Sequence, residues 1–90
     1  MQEIKQLFNE RARLHIIVHG KVQGVFFRDY TKKTADKLGI TGWVKNTTDK
    51  VEITAEGNKN KLREFIIHIQ KGNPLSKVEK TDYEWEPYTG

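Results

Sequence analysis

Three observations predict an α+β fold in which two helices cover one face of a four-stranded antiparallel sheet. Residues 13–19 alternate apolar and polar side chains at the period of a strand, with Leu14, Ile16 and Val18 on one face. Residues 28–38 and 59–71 carry apolar stripes at helical spacing, and three further strand-like runs occupy 40–46, 51–56 and 77–86.

Taken in order, residues 1–12 come first, with Ile4, Leu7, and Phe8 or Arg11 at weak helical spacing among many charges. They read as a loosely ordered N-terminal extension to a single domain, 13–90. In the first strand Ile17 is apolar on the otherwise polar face, which marks a central position. The first helix has Tyr30, Thr34, Ala35 and Leu38 along one stripe and stops at Gly39. The strands at 40–46 and 51–56 are joined by the short turn Thr47 to Lys50, so they form an antiparallel hairpin that Gly57 and Asn58 end. The second helix buries Leu62, Phe65, Ile66 and Ile69, and Gly72 and Pro74 close it. In the last strand the period shifts between Val78 and the alternation of Thr81, Tyr83 and Trp85, which predicts a bulge or a change of neighbour. The order β-α-β-β-α-β is that of the ferredoxin-like sandwich.

Composition narrows the function. Ninety residues with 36% hydrophobic and 31% charged side chains make one small domain with an economical core. The absence of cysteine excludes disulfides, a thiol nucleophile and thiolate metal ligation, and fits a reducing cytoplasm. No run is apolar enough to span a bilayer, and the N-terminus does not read as a signal peptide. The net charge of +4 is uneven: residues 14–39 carry five Lys/Arg against two Asp, 58–72 four against one Glu, and 73–90 two Lys against four acids. Both helical regions therefore attract anions.

The most informative segment is Gly20, Lys21, Val22, Gln23, Gly24, Val25, Phe26, Phe27, Arg28. It sets a glycine-bracketed turn between a strand and a helix, where backbone N–H groups and the positive helix end can converge on an anion. Arg28 opposes the helix dipole, a conflict that a bound anion resolves, and its planar fork suits two phosphate oxygens. Read without other information, the usual explanation of such a turn is a tight strand-to-helix connection. The second candidate, Asn46, ends Gly42, Trp43, Val44, Lys45, Asn46; asparagine there also commonly bonds its own backbone at a hairpin turn.

These two segments resemble the signature motifs of the acylphosphatase family. The similarity runs from about Arg13 to Pro87 and includes Ala55, Glu56, Gly57 and Gly72, Asn73, Pro74. The resemblance implies hydrolysis of an acyl phosphate to a carboxylate and inorganic phosphate. It implies that the loop Gly20 to Phe26 (Gly20, Lys21, Val22, Gln23, Gly24, Val25 and Phe26) holds the phosphate, that Arg28 clamps it, and that Asn46 orients the attacking water. The proton then goes to the substrate's own phosphate oxygen, with no metal and no cofactor. The chemistry is compatible with the residues: a carboxylate leaving group with a conjugate-acid pKa around 4 needs no strong general acid. Phosphoryl transfer asks mainly for positioning and charge stabilisation. Two features depart from the family pattern. The turn Thr47 to Lys50 is shorter than usual and lacks glycine, and the sequence stops at Gly90 where relatives commonly continue into another short strand.

Other candidates read as structural. His15 and His19 lie roughly 13 Å apart along a strand, too far to share a metal, and His68 is alone on its helix. Trp43, Tyr83 and Trp85 are expected to pack on the sheet. Lys32, Lys33 and Lys37 form a solvated helix face. A noncatalytic phosphate- or carbamoyl-phosphate-binding domain is the nearest rival reading. A nucleic-acid-binding module is the more distant one, because Phe26 and Phe27 are adjacent rather than alternating along a strand. The expectation is a monomeric cytoplasmic enzyme acting on a small acyl phosphate, with inorganic phosphate as product and neither nucleic acid nor membrane as partner.

Overall fold

The computed structural model describes residues 10–90. The elements are β1 (Arg11–Lys21), α1 (Phe27–Leu38), β2 (Thr41–Asn46), β3 (Val51–Asn58), α2 (Lys59–Lys71) and β4 (Lys77–Glu86). The sheet order is β2-β3-β1-β4 with every neighbouring pair antiparallel, so β1 is central as Ile17 implied.

The alternation in β1 sends Leu14, Ile16 and Val18 fully inward, against Val51, Ile53 and Ala55 of β3 and the predicted α2 stripe of Leu62, Phe65, Ile66 and Ile69. Each large side chain buried in this way contributes about 1.5–3 kcal/mol. α1 adds Phe27 and Thr31 to the interior, and the Thr31 hydroxyl is satisfied by donating to the Phe27 carbonyl at 2.9 Å. Tyr30 ties the helices together through its hydroxyl, which donates to the His68 carbonyl at 2.8 Å.

β1 and β3 exceed their predicted ends. Arg11 and Ala12, assigned by sequence to the extension, pair with Asn58 and Gly57 and belong to β1. None of these four residues has strong strand propensity; cross-strand pairing extends both strands. The expectation for residues 1–9 lies outside the described residues. The irregularity expected in β4 is a bulge: His19 faces Lys80 and Gly20 faces Val78, leaving Glu79 as the extra residue.

Trp43, Tyr83 and Trp85 lie on the outer strands β2 and β4, which leaves them partly exposed instead of buried. Lys45 and Lys59 stack on Trp43 and Trp85 at 5.1 and 5.6 Å from the ring centroids. Among the described residues no helix is long and apolar enough to cross a membrane.

Candidate active site

The site begins where β1 meets its bulge. Gly20 has φ 125°, and a Cβ there would collide with the Lys77 carbonyl oxygen and lie 2.8 Å from the Glu79 amide nitrogen. Only glycine lets the strand pass this point. The chain then runs over the core edge with Val22, Val25 and Phe27 buried and Gly24 and Phe26 facing out. Three apolar anchors thus fix the loop, and Gly24 and Phe26 stay exposed between them.

Gly24 and Phe26 both take left-handed backbone, φ 69° and 61°. Phe26 occupies the N-cap position of α1 without a side-chain cap. Among the described residues, no backbone N–H of residues 23–29 donates to a backbone carbonyl. α2 provides the contrast: its N-cap Asn58 accepts from the Asn60 and Lys61 N–H groups at 2.9 and 3.2 Å. One helix start is closed by its own side chain, and the other is open.

Arg28 stands on the first turn of that open helix, and no carboxylate among the described residues pairs with its guanidinium. Its neighbour Asp29 is already engaged, 3.1 Å from Lys33 Nζ. Asn46 reaches the same region from β2. It lies opposite the buried Val51, as Val44 lies opposite the buried Ile53, so both share the helix-bearing face of the sheet. The turn after it is closed by the Thr47 N–H donating to the Lys50 carbonyl at 2.9 Å.

Val22, Gly24, Phe26, Phe27, Arg28, Asp29 and Asn46 surround one cleft of about 350 Å³. Of the residues singled out in sequence, Arg28 and Asn46 therefore meet, together with Val22, Gly24 and Phe26. The other four do not line it. Gly20 and Lys21 end β1, Val25 faces the core, and Gln23 sends its side chain to the turn after Asn46. A larger cleft of about 480 Å³ between α1 and β2 has mainly apolar walls, including Ala35, Ile40, Val44 and Phe65.

Two contributors were given no role at the site by the sequence reading. Asp29 was visible only as an acid on a first helical turn, where such residues are common. Asn73 donates from Nδ2 to the Val25 carbonyl at 2.8 Å and so braces the loop from the α2–β4 connection. Nothing in the spacing announces that contact. Among the described residues no group of three or more His, Asp or Glu converges as metal ligands. His15 and His19 instead bond Glu52 and Asp82 at 2.7 and 2.8 Å.

Comparison with known proteins bears on the family and the fold. The acylphosphatase family model matches residues 14–90. An acylphosphatase from Pelotomaculum thermopropionicum is 43% identical over 81 residues, spanning 89% of this chain and 88% of the relative. The crystal structure of the acylphosphatase from Bacillus subtilis superposes with a TM-score of 0.81 at 42% identity, covering 83% of this chain and 84% of that one. An acylphosphatase structure from Coxiella burnetii gives a TM-score of 0.85 at 35% identity, covering 91% and 86%.

Proposed function

The chain belongs to the acylphosphatase family, and from that premise we propose that the cleft at the start of α1 cleaves the carboxyl–phosphate anhydride of an acyl phosphate. The observation that carries this placement is one cleft lined by Arg28, which has no carboxylate partner among the described residues, by Asn46, and by a loop whose N–H groups reach no backbone carbonyl among the described residues.

The N–H groups of the loop and helix start take the phosphoryl oxygens, and Arg28 adds a bidentate, charge-assisted contact that strengthens as charge builds on those oxygens. Asn46 holds a water on the side of phosphorus away from the acyl oxygen. An amide can orient water but cannot accept its proton at neutral pH. Asp29, the one carboxylate lining the cleft among the described residues, stands 3.1 Å from Lys33 Nζ in an exposed ion pair. As the family resemblance implies, the proton passes to a phosphoryl oxygen of the substrate. The water oxygen bonds to phosphorus, the bond to the acyl oxygen breaks, and its electron pair leaves on the carboxylate. The products are a carboxylate and dihydrogen phosphate, so atoms and charge balance.

The leaving group departs as a weak base without a general acid, and Arg28 and the N–H donors meet the developing charge without a metal. Benzoyl phosphate hydrolysis by the purified protein tests this reading. Turnover is expected, unchanged by a chelator. Arg28→Ala is expected to lose about 10²–10³-fold in rate, together with affinity for inorganic phosphate. An inactive parent, or parent-like rates in Arg28→Ala, would contradict the placement. Tight phosphate binding without turnover would favour a noncatalytic binder.

A further inference from the structure

We infer that Gln23 is a positioning residue that acts through Asn46, an inference that rests on the hydrolytic reading above. Gln23 sits within the loop, yet its side chain leaves the loop altogether. Nε2 donates to the Thr47 carbonyl at 2.9 Å and to the Lys50 carbonyl at 2.8 Å. Those two carbonyls mark the ends of the turn that begins immediately after Asn46.

Each part of the arrangement suits a brace. β2 is an outer strand of the sheet and β3 is its one strand neighbour among the described residues, so Asn46 is held from one side only. The turn closes on itself through Lys50, whose carbonyl accepts from the Thr47 N–H at 2.9 Å and from the Thr47 hydroxyl at 3.3 Å. That closure shapes the turn but does not connect it to the loop. Gln23 makes the connection: loop residues Val22 and Gly24 line the cleft beside Asn46, and the Gln23 amide fixes how far apart those walls stand.

The side chain chosen also fits. Two carbonyls require two N–H donors on one atom, which an uncharged amide supplies and an isosteric carboxylate cannot. Asparagine would fall one methylene short, and methionine would fill the space without donating. Displacement of a reacting group by about 1 Å can cost on the order of 10² in rate, so a brace remote from the phosphorus can govern turnover. Its loss should leave phosphate capture intact, because the loop N–H groups and Arg28 are held by Val22, Val25, Phe27 and Asn73 instead.

The test is a double-mutant cycle on benzoyl phosphate hydrolysis, with inorganic phosphate as competitive inhibitor. Gln23→Met and the isosteric Gln23→Glu are each measured with and without Asn46→Ala, and circular dichroism monitors folding. The expected result is a fall in kcat of about tenfold or more in Gln23→Met, with the phosphate Ki within about twofold. The two Gln23 substitutions should add almost nothing in the Asn46→Ala background, since residues acting in series are not additive. A phosphate Ki rising in step with the loss of kcat, or full additivity with Asn46→Ala, would overturn the inference and leave the hydrolytic reading standing. Should one variant unfold, the other decides by the same criteria. A parent that does not turn over benzoyl phosphate would remove the hydrolytic reading and this inference with it.

Discussion

Phe26 and Phe27 are adjacent in sequence and opposite in fate. Phe27 is 1% exposed and packs beside Tyr30, whereas Phe26 is 73% exposed with left-handed backbone. Their adjacency before Arg28 was plain in the sequence, but which one turned inward was not. The decision rests on the positive φ at Phe26, which flips the chain into α1 and which no composition rule demands of a phenylalanine. Holding a non-glycine residue there costs on the order of 1 kcal/mol or more. Phe26→Gly relieves that cost and loses little packing, so urea unfolding should show a stability change within about 1 kcal/mol of the parent. Phe27→Ala should lose about 3–5 kcal/mol by opening a cavity in the core. Equal effects of the two would mean that the loop is not anchored as described. Arg28 and Asn46 were legible as residue types in suggestive positions, and the family resemblance assigned them roles. The contact of Asn73 with Val25, 48 positions away, was not legible, because a side-chain bond between distant loops leaves no periodic trace.

At the scale of elements, helices were read more closely than strands. Each helix carries its own limits: Gly39 and Gly72 end them, and the α2 stripe of Leu62, Phe65, Ile66 and Ile69 is wholly local. The strands β1 and β3 extend beyond their apolar alternation because Arg11 and Ala12 find partners in Asn58 and Gly57, information held in the pairing rather than in either segment. The bulge at Glu79 was foreshadowed by a broken period, since an extra residue shifts every following side chain to the other face. Asn58 ends a strand in the sequence reading and also caps α2, where it accepts from two N–H groups. Asn58→Ala is expected to cost about 1 kcal/mol in thermal or urea unfolding. A cost near zero would mean that water replaces the asparagine side chain at this helix start. The start of α1, with Phe26 at its N-cap, has no such side chain to remove.

For the molecule as a whole, one sheet face carries both helices and the core, while the other holds ion pairs. Arg13 meets Glu86 at 3.1 Å, His15 and Lys45 meet Glu52 at 2.7 and 3.6 Å, and His19 and Lys80 meet Asp82 at 2.8 and 3.6 Å. The sequence showed these charges and the alternation that turns them outward, but not which partners the register would join. Hydrogen bonds from His15 and His19, with Lys45 and Lys80 adding their charge, hold Glu52 and Asp82 below their ordinary values of 4.5 and 3.8. Carboxylates with depressed native pKa stabilise the fold fully above their unfolded pKa and lose that contribution as pH falls through the native one. Urea midpoints should therefore be insensitive to these two groups near neutrality and fall as the solution is taken below about pH 4.5. In Glu52→Gln with Asp82→Asn the acid-side slope should be shallower. An unchanged slope would show that this face does not govern acid sensitivity.

The central claim divides the work between a loop that captures phosphate and an asparagine that aims water at it. The most direct measurement is kcat for benzoyl phosphate alongside the Ki of inorganic phosphate in Asn46→Ala and in the parent. The division predicts a kcat lowered by about 10²-fold or more with a phosphate Ki within about twofold of the parent. A parent-like kcat, or a phosphate Ki that rises in proportion to the lost rate, would contradict it.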